Sequence, residues 1–118
     1  MKTRIALLWL ALALLAAACS EPVPQARAAY VGTWRADNML LDIRADGHIH
    51  YEKRGEHGKT TVDAPIQRFE GDNFVVGLGP FNTTFVVSKP PHVDDGKWKM
   101  TVDGVDLVRT SGPVDTNV

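Results

Sequence analysis

Leu41-Asp42-Ile43-Arg44-Ala45-Asp46-Gly47-His48-Ile49-His50-Tyr51 decides the fold. Apolar and polar residues alternate on both sides of Asp46-Gly47, which is the period of half-buried strands flanking a tight turn. A two-residue Asp46-Gly47 turn would set Ile43 opposite His50. A three-residue loop ending on a left-handed Gly47 instead pairs Ile43 with Ile49 and Leu41 with Tyr51, and apolar matching selects this register. Asp42, Arg44, His48, His50 and Glu52 then share the opposite, wet face.

The same test extends outward along the chain. At Asp103-Gly104 a two-residue turn pairs Val102 with Val105, Met100 with Leu107 and Trp98 with Arg109, leaving Lys97, Lys99, Thr101 and Asp106 to water. Glu70-Gly71-Asp72-Asn73 brings Phe69 opposite Phe74, and Arg54-Gly55-Glu56-His57-Gly58 closes another hairpin. Gly77-Leu78-Gly79-Pro80 is expected to turn so that Val76 faces Phe81 and Phe74 faces Thr83. No long stripe of helical period interrupts these runs. The strands expected are 31–35, 39–44, 48–53, 60–63, 66–69, 74–76, 81–87, 97–102 and 105–109. About eight short strands joined by hairpins make an all-β, antiparallel up-and-down meander, which satisfies its edges best by closing into a barrel. A half-open sheet or a two-layer sandwich is the alternative.

The chain has 118 residues, which is one small domain at most. Its net charge of −1 gives no basic footprint for nucleic acid, and its single Cys excludes an intrachain disulfide and Cys-rich zinc modules. Met1-Lys2-Thr3-Arg4 followed by fourteen apolar residues, 5–18, has the shape of a signal peptide. As a helix, fourteen residues reach about 21 Å, short of the roughly 30 Å hydrocarbon core. Ala16-Ala17-Ala18-Cys19 resembles the lipobox of bacterial lipoproteins, with Ala16 where Leu is favoured. The resemblance implies acylation of Cys19 after removal of residues 1–18, and Ser20 is compatible with passage to the outer membrane. An ordinary secretory signal ending in a chance Cys is the alternative. Cleavage leaves 100 residues and takes Lys2 and Arg4 away, so eleven basic side chains face fourteen acidic ones, for a net −3. Residues 19–29, with Pro22 and Pro24, read as an extended tether, 30–109 as the barrel, and 110–118 as a flexible tail.

Val31-Gly32-Thr33-Trp34 opens the first strand and Leu107-Val108-Arg109 closes the last. This is similar to the lipocalin-like pattern, in which a Gly-x-Trp seals the barrel floor and a final-strand Arg packs over the Trp. The resemblance implies a closure site of Gly32, Trp34, Trp98 and Arg109. The chain is shorter than lipocalins and lacks their C-terminal helix and disulfide.

The inward list includes Trp34, Leu41, Ile43, Ile49, Tyr51, Val62, Phe74, Phe81, Phe85, Trp98, Met100 and Leu107, bulky enough to fill an eight-stranded lumen, with a small apolar ligand cavity as the alternative. His48-Ile49-His50 points two imidazoles the same way at a spacing that metal sites use, with Asp42 opposite His50. A third ligand of fixed geometry is missing, and Arg44 and Lys53 oppose a cation, so solvated histidines and no metal are expected. His92, after Pro90-Pro91, is expected in an exposed loop. Neither a nucleophile with its base nor a phosphate loop is found, so no catalysis and no cofactor are expected. Two functions remain: a structural or protein-interaction barrel with an envelope partner, held at the membrane by its lipid, or a binder of a small apolar ligand.

Overall fold

The computed structural model describes residues 21–112. The expected signal helix, Cys19 and residues 113–118 lie outside the described residues. A 3-10 helix, Gln25–Tyr30, precedes nine strands: β1 Gly32–Ala36, β2 Met39–Ile43, β3 His48–Gly55, β4 Gly58–Glu70, β5 Asn73–Leu78, β6 Phe81–Phe85, β7 Val87–Asp94, β8 Lys97–Val102 and β9 Val105–Ser111. They form one sheet in the order β6-β5-β4-β3-β2-β1-β9-β8-β7, curled into a half-barrel.

Every pairing is antiparallel, including that of the first strand with the last. Nine alternating strands would leave β1 and β9 parallel, so one connection does not reverse the chain. That connection is Val86, the lone residue between β6 and β7. Phe85 and Val87 are buried on either side of exposed Val86, the period of one uninterrupted strand. Residues 81–94 are therefore one bent strand whose first half pairs with β5 and whose second half pairs with β8. The two edges of the sheet are its two halves, and the circuit is completed through the covalent chain, not through a ladder.

Side-chain hydrogen bonds fix the bend. Val87 N–H donates to Asn73 Oδ1 at 2.8 Å and Val86 N–H to Asp103 Oδ1 at 2.9 Å, while Asp103 N–H donates to Val86 O. Thus the β4–β5 and β8–β9 turns are both fastened to the place where the strand changes partners.

Three hairpins follow the expected registers: Ile43 opposite Ile49, Phe69 opposite Phe74, and Val102 opposite Val105. The expected hairpin at 54–58 also forms, and its register pairs Gly55 with Gly58. The β5–β6 hairpin differs. Its turn is the two residues Gly79-Pro80, which pairs Leu78 with Phe81, Val76 with Thr83 and Phe74 with Phe85. Phe74 and Phe85 then stack at 5.1 Å inside, whereas Phe81, expected inward, is 83% exposed.

Other expectations are corrected by the packing. Strands 60–63 and 66–69 are parts of β4, which runs through Pro65. Ile66 N–H donates to Gly47 O on one side, so the nitrogen of Pro65 points the other way, where β5 has not yet joined. His92 lies in β7, not in a loop, and β9 extends to Ser111. Thr101, expected in water, is buried and donates to Asp106 Oδ1 at 2.7 Å.

The described part of the expected tether is not extended. Val23 N–H bonds Ala45 O, Val23 packs on the core, and the 3-10 helix buries Tyr30. Apolar contact at Val23 and Tyr30 outweighs the extended preference of Pro22 and Pro24.

The interior is filled. Tyr51, Phe85, Phe74, Tyr30 and Phe69 form a connected series of ring contacts with centroids 5.0–6.2 Å apart. Arg27 ends the series, 5.0 Å from the Phe69 centroid and ion-paired to Asp72. Trp34, Leu41, Ile43, Ile49, Met100 and Leu107 complete the core.

Candidate functional site

The wet face of β1–β4 carries a transverse row in which Thr33, Asp42, His50 and Asp63 are successive cross-strand neighbours. Thr33 Oγ1 donates to Asp42 Oδ1 at 3.2 Å. Asp63 divides its two oxygens between the histidines: Oδ1 meets His48 Nε2 at 3.1 Å and Oδ2 meets His50 Nδ1 at 3.0 Å. Those hydrogen bonds, His48 first, hold the Asp63 carboxyl below its ordinary range. Glu52 is lowered in the same direction, first by its hydrogen bond from Lys59. The sequence reading placed Asp42 beside His50 and missed Asp63. A two-residue Glu56-His57 turn, which pairs Gly55 with Gly58, carries Asp63 opposite His50 and was the available signal.

This cluster is a carboxylate orienting two imidazoles on an open strand face. Among the described residues no three His, Cys, Asp or Glu side chains form a group that could hold a metal ion. The oxygens of Asp63 are occupied by imidazole nitrogens, so the set is satisfied internally.

At the junction of first and last strands, Trp34 pairs with Arg109. The guanidinium lies 4.9 Å from the Trp98 centroid and 5.9 Å from that of Trp34, with the two indoles providing π faces for the charge. Trp34 is fully buried and donates its Nε1–H to Tyr30 O at 2.9 Å. Gly32 (φ 143°) permits the approach, since a Cβ there would come 2.6 Å from Ser111 O and 2.7 Å from Arg109 Cδ. Gly32, Trp34, Trp98 and Arg109 are thus brought together as one seam.

No protein-family model, curated protein or solved structure matches this chain.

The feature that neither core nor seam absorbs is the tip of the β5–β6 hairpin. β4 pairs with β5 only over 66–70, so the hairpin beyond Val76 projects without a strand beside it on the β4 side. The resulting open cleft of about 420 Å³ is lined by Val62 and Ala64 of β4 and by Val76, Gly77, Leu78 and Phe81 of the hairpin. Leu78 is 64% exposed, so large apolar side chains flank Gly79-Pro80 where turns ordinarily carry polar ones. The tip is nevertheless held in place. Gln67, the extra residue at the register shift between Ile66 and Arg68, donates Nε2–H to Gly79 O at 3.0 Å and accepts from Asn82 Nδ2 at 3.2 Å. A Cβ at Gly77 (φ 152°) would strike Phe81 O, so the two strands close tightly there.

Proposed function

We propose that the chain is an exported envelope lipoprotein, acylated at Cys19 and held on the periplasmic face of the outer membrane. Its barrel acts through its surface, as a structural or protein-interaction module, and not as a carrier or an enzyme. The observation that supports this reading is the occupied interior. The ring series from Tyr51 to Phe69 takes the space in which a lipocalin-like ligand would sit. The signal-like 1–18 segment, the Ala16-Ala17-Ala18-Cys19 run and the lone thiol support the address. Metabolic palmitate labelling tests it: wild type takes the label and fractionates with membranes, and Cys19→Ser takes none. Equal labelling of the two would end the lipoprotein reading.

Binding of a small apolar ligand is the second reading, and the open cleft between β4 and the hairpin favours it. An environment-sensitive apolar dye that binds one per chain, and is displaced by Leu78→Glu at the exposed wall of the cleft, would support the carrier. Dye uptake unaffected by that change would support the solid barrel.

A further inference from the structure

We propose that the β5–β6 tip, with Leu78 and Phe81, dips into the bilayer that holds the Cys19 lipid, as a second and non-covalent membrane contact. The proposal rests on the lipoprotein reading above.

Two independent observations converge on Gln67. The first concerns where the chain leaves the barrel toward Cys19. The Glu21 carbonyl lies so close to Gly47 that a Cβ there would strike it, and Val23 is hydrogen-bonded to Ala45. Gly47 O in turn accepts from Ile66 N–H, and Glu21 and Pro22 face Gln67 across a cleft of about 200 Å³. The domain is therefore fastened down to Glu21, two residues after Cys19. Two residues reach at most about 7 Å. An acylated Cys19 keeps the surface around Glu21 at the headgroups, with no long tether to lift it away. The second observation is that Gln67 also grips Gly79 and Asn82 of the hairpin tip. One side chain thus joins the place where the anchor emerges to the most exposed large apolar residue of the described chain, Phe81.

Membrane is a better occupant than protein. Leu78 and Phe81, 64% and 83% exposed, offer on the order of 300 Å² of side chain, using 150–250 Å² for the aromatic and less for the leucine. A stable interface needs about 800 Å² per partner. Two apolar side chains on a narrow, braced turn suit insertion beside an existing lipid anchor, where no mating surface is required. The charges around this place are of both signs, Arg68 near Glu70, Arg44 near Asp46 and Arg27 near Asp72, with the Glu21 carboxylate beside them, so no basic patch steers the contact and it is apolar and insensitive to salt.

The test uses the full-length, processed protein reconstituted into phosphatidylethanolamine–phosphatidylglycerol vesicles. Acylation of Cys19 leaves one introduced thiol for an environment-sensitive fluorophore: Phe81→Cys, with Leu78→Cys as a second site in case the first perturbs the tip. His57→Cys, at the β3–β4 turn about 30 Å along β4 from Gln67 at 3.4 Å per residue, is the control. Lipids spin-labelled about 5–10 Å below the surface should remove roughly half the emission at 81 and 78 and little at 57, alike at about 0.1 and about 1 M salt. Equal quenching at all three sites, or none at 81 and 78, overturns the proposal. A blue-shifted but unquenched signal at 81 would place a protein on the tip and also overturns it. The mass of the N-terminal residue in the same sample separates the two failures. Unmodified Cys19 overturns the lipoprotein reading and this inference with it, and acylated Cys19 with no quenching overturns this inference alone.

Discussion

Arg109 carries a full charge into a seam lined by two indoles, and among the described residues no carboxylate pairs with it. Its stabilisation therefore comes from the π faces and from packing of its aliphatic stem beside Gly32. Arg109→Ala should lower stability by about 0.5–2 kcal/mol from the cation–π contacts, and by more where the stem is lost. Arg109→Met keeps the stem and should recover part of the loss. Urea unfolding followed by Trp34 and Trp98 emission reads both, with the midpoint moving and the slope unchanged. A wild-type midpoint in Arg109→Ala would mean that the seam is held by the β1–β9 ladder alone. Trp34 and Arg109 were legible in the sequence because they sit at the two ends of the alternating region, where a meander that joins its termini brings them together, and Gly32 was legible through the lipocalin-like Gly-x-Trp resemblance. The place of Asp63 depends on the register of the 54–58 hairpin, which the sequence leaves open, because glycines stand on both sides of Glu56-His57 and neither central residue is the usual turn glycine or asparagine.

Hairpins differ in how firmly sequence fixes their register. At Asp46-Gly47 a wrong choice moves every side chain to the other face, so alternation alone rejects it. At Gly77-Leu78-Gly79-Pro80 the rival registers differ by two residues, which keeps each side chain on its face and leaves alternation silent. The deciding contact is remote. Phe85, drawn opposite Phe74, also meets Tyr51 of β3 at 5.0 Å, and that gain leaves Phe81 outside. The bend at Val86 was equally hidden, because an uninterrupted apolar run, Phe85-Val86-Val87, says nothing of a change in partners. Asn73 carries that bend: Asn73→Ala strips the acceptor from the N–H of Val87, a buried residue. An unsatisfied donor of this kind costs about 1–3 kcal/mol. Hydrogen exchange at the Val86 and Val87 amides should accelerate by more than exchange in β2 or β3, whose ladders the change does not touch. Uniform acceleration would mean that the bend is no weaker than the rest of the sheet.

For the molecule as a whole, titrating groups set the limits of stability on both sides. Asp63 and Glu52 are lowered by their hydrogen bonds to His48, His50 and Lys59. A lowered carboxylate contributes stability that is present above its unfolded value and is lost as pH falls through its folded value. Asp63 is exposed at the strand face and Glu52 partly so, which screens both, so each contribution is small and the acid edge is shallow. Tyr51 is shifted the other way, raised by burial first and by the Asp103 charge second, and Tyr30 is raised by burial and Asp72. A raised phenol contributes stability that is complete below its unfolded value near 10 and is lost as pH rises toward the folded value, because the unfolded chain ionises first. The alkaline edge therefore belongs to the aromatic core, and the acid edge to the polar row. Tyr51→Phe keeps the ring against Phe85 and removes the proton, so its urea midpoint should fall less than that of wild type between about pH 9 and pH 11. Asp63→Asn should flatten the acid edge and leave the alkaline one in place. Identical alkaline edges in wild type and Tyr51→Phe would assign that edge to Tyr30, whose hydroxyl donates to Asp72 O at 2.9 Å and whose ring packs edge-on against Phe69 and Phe74.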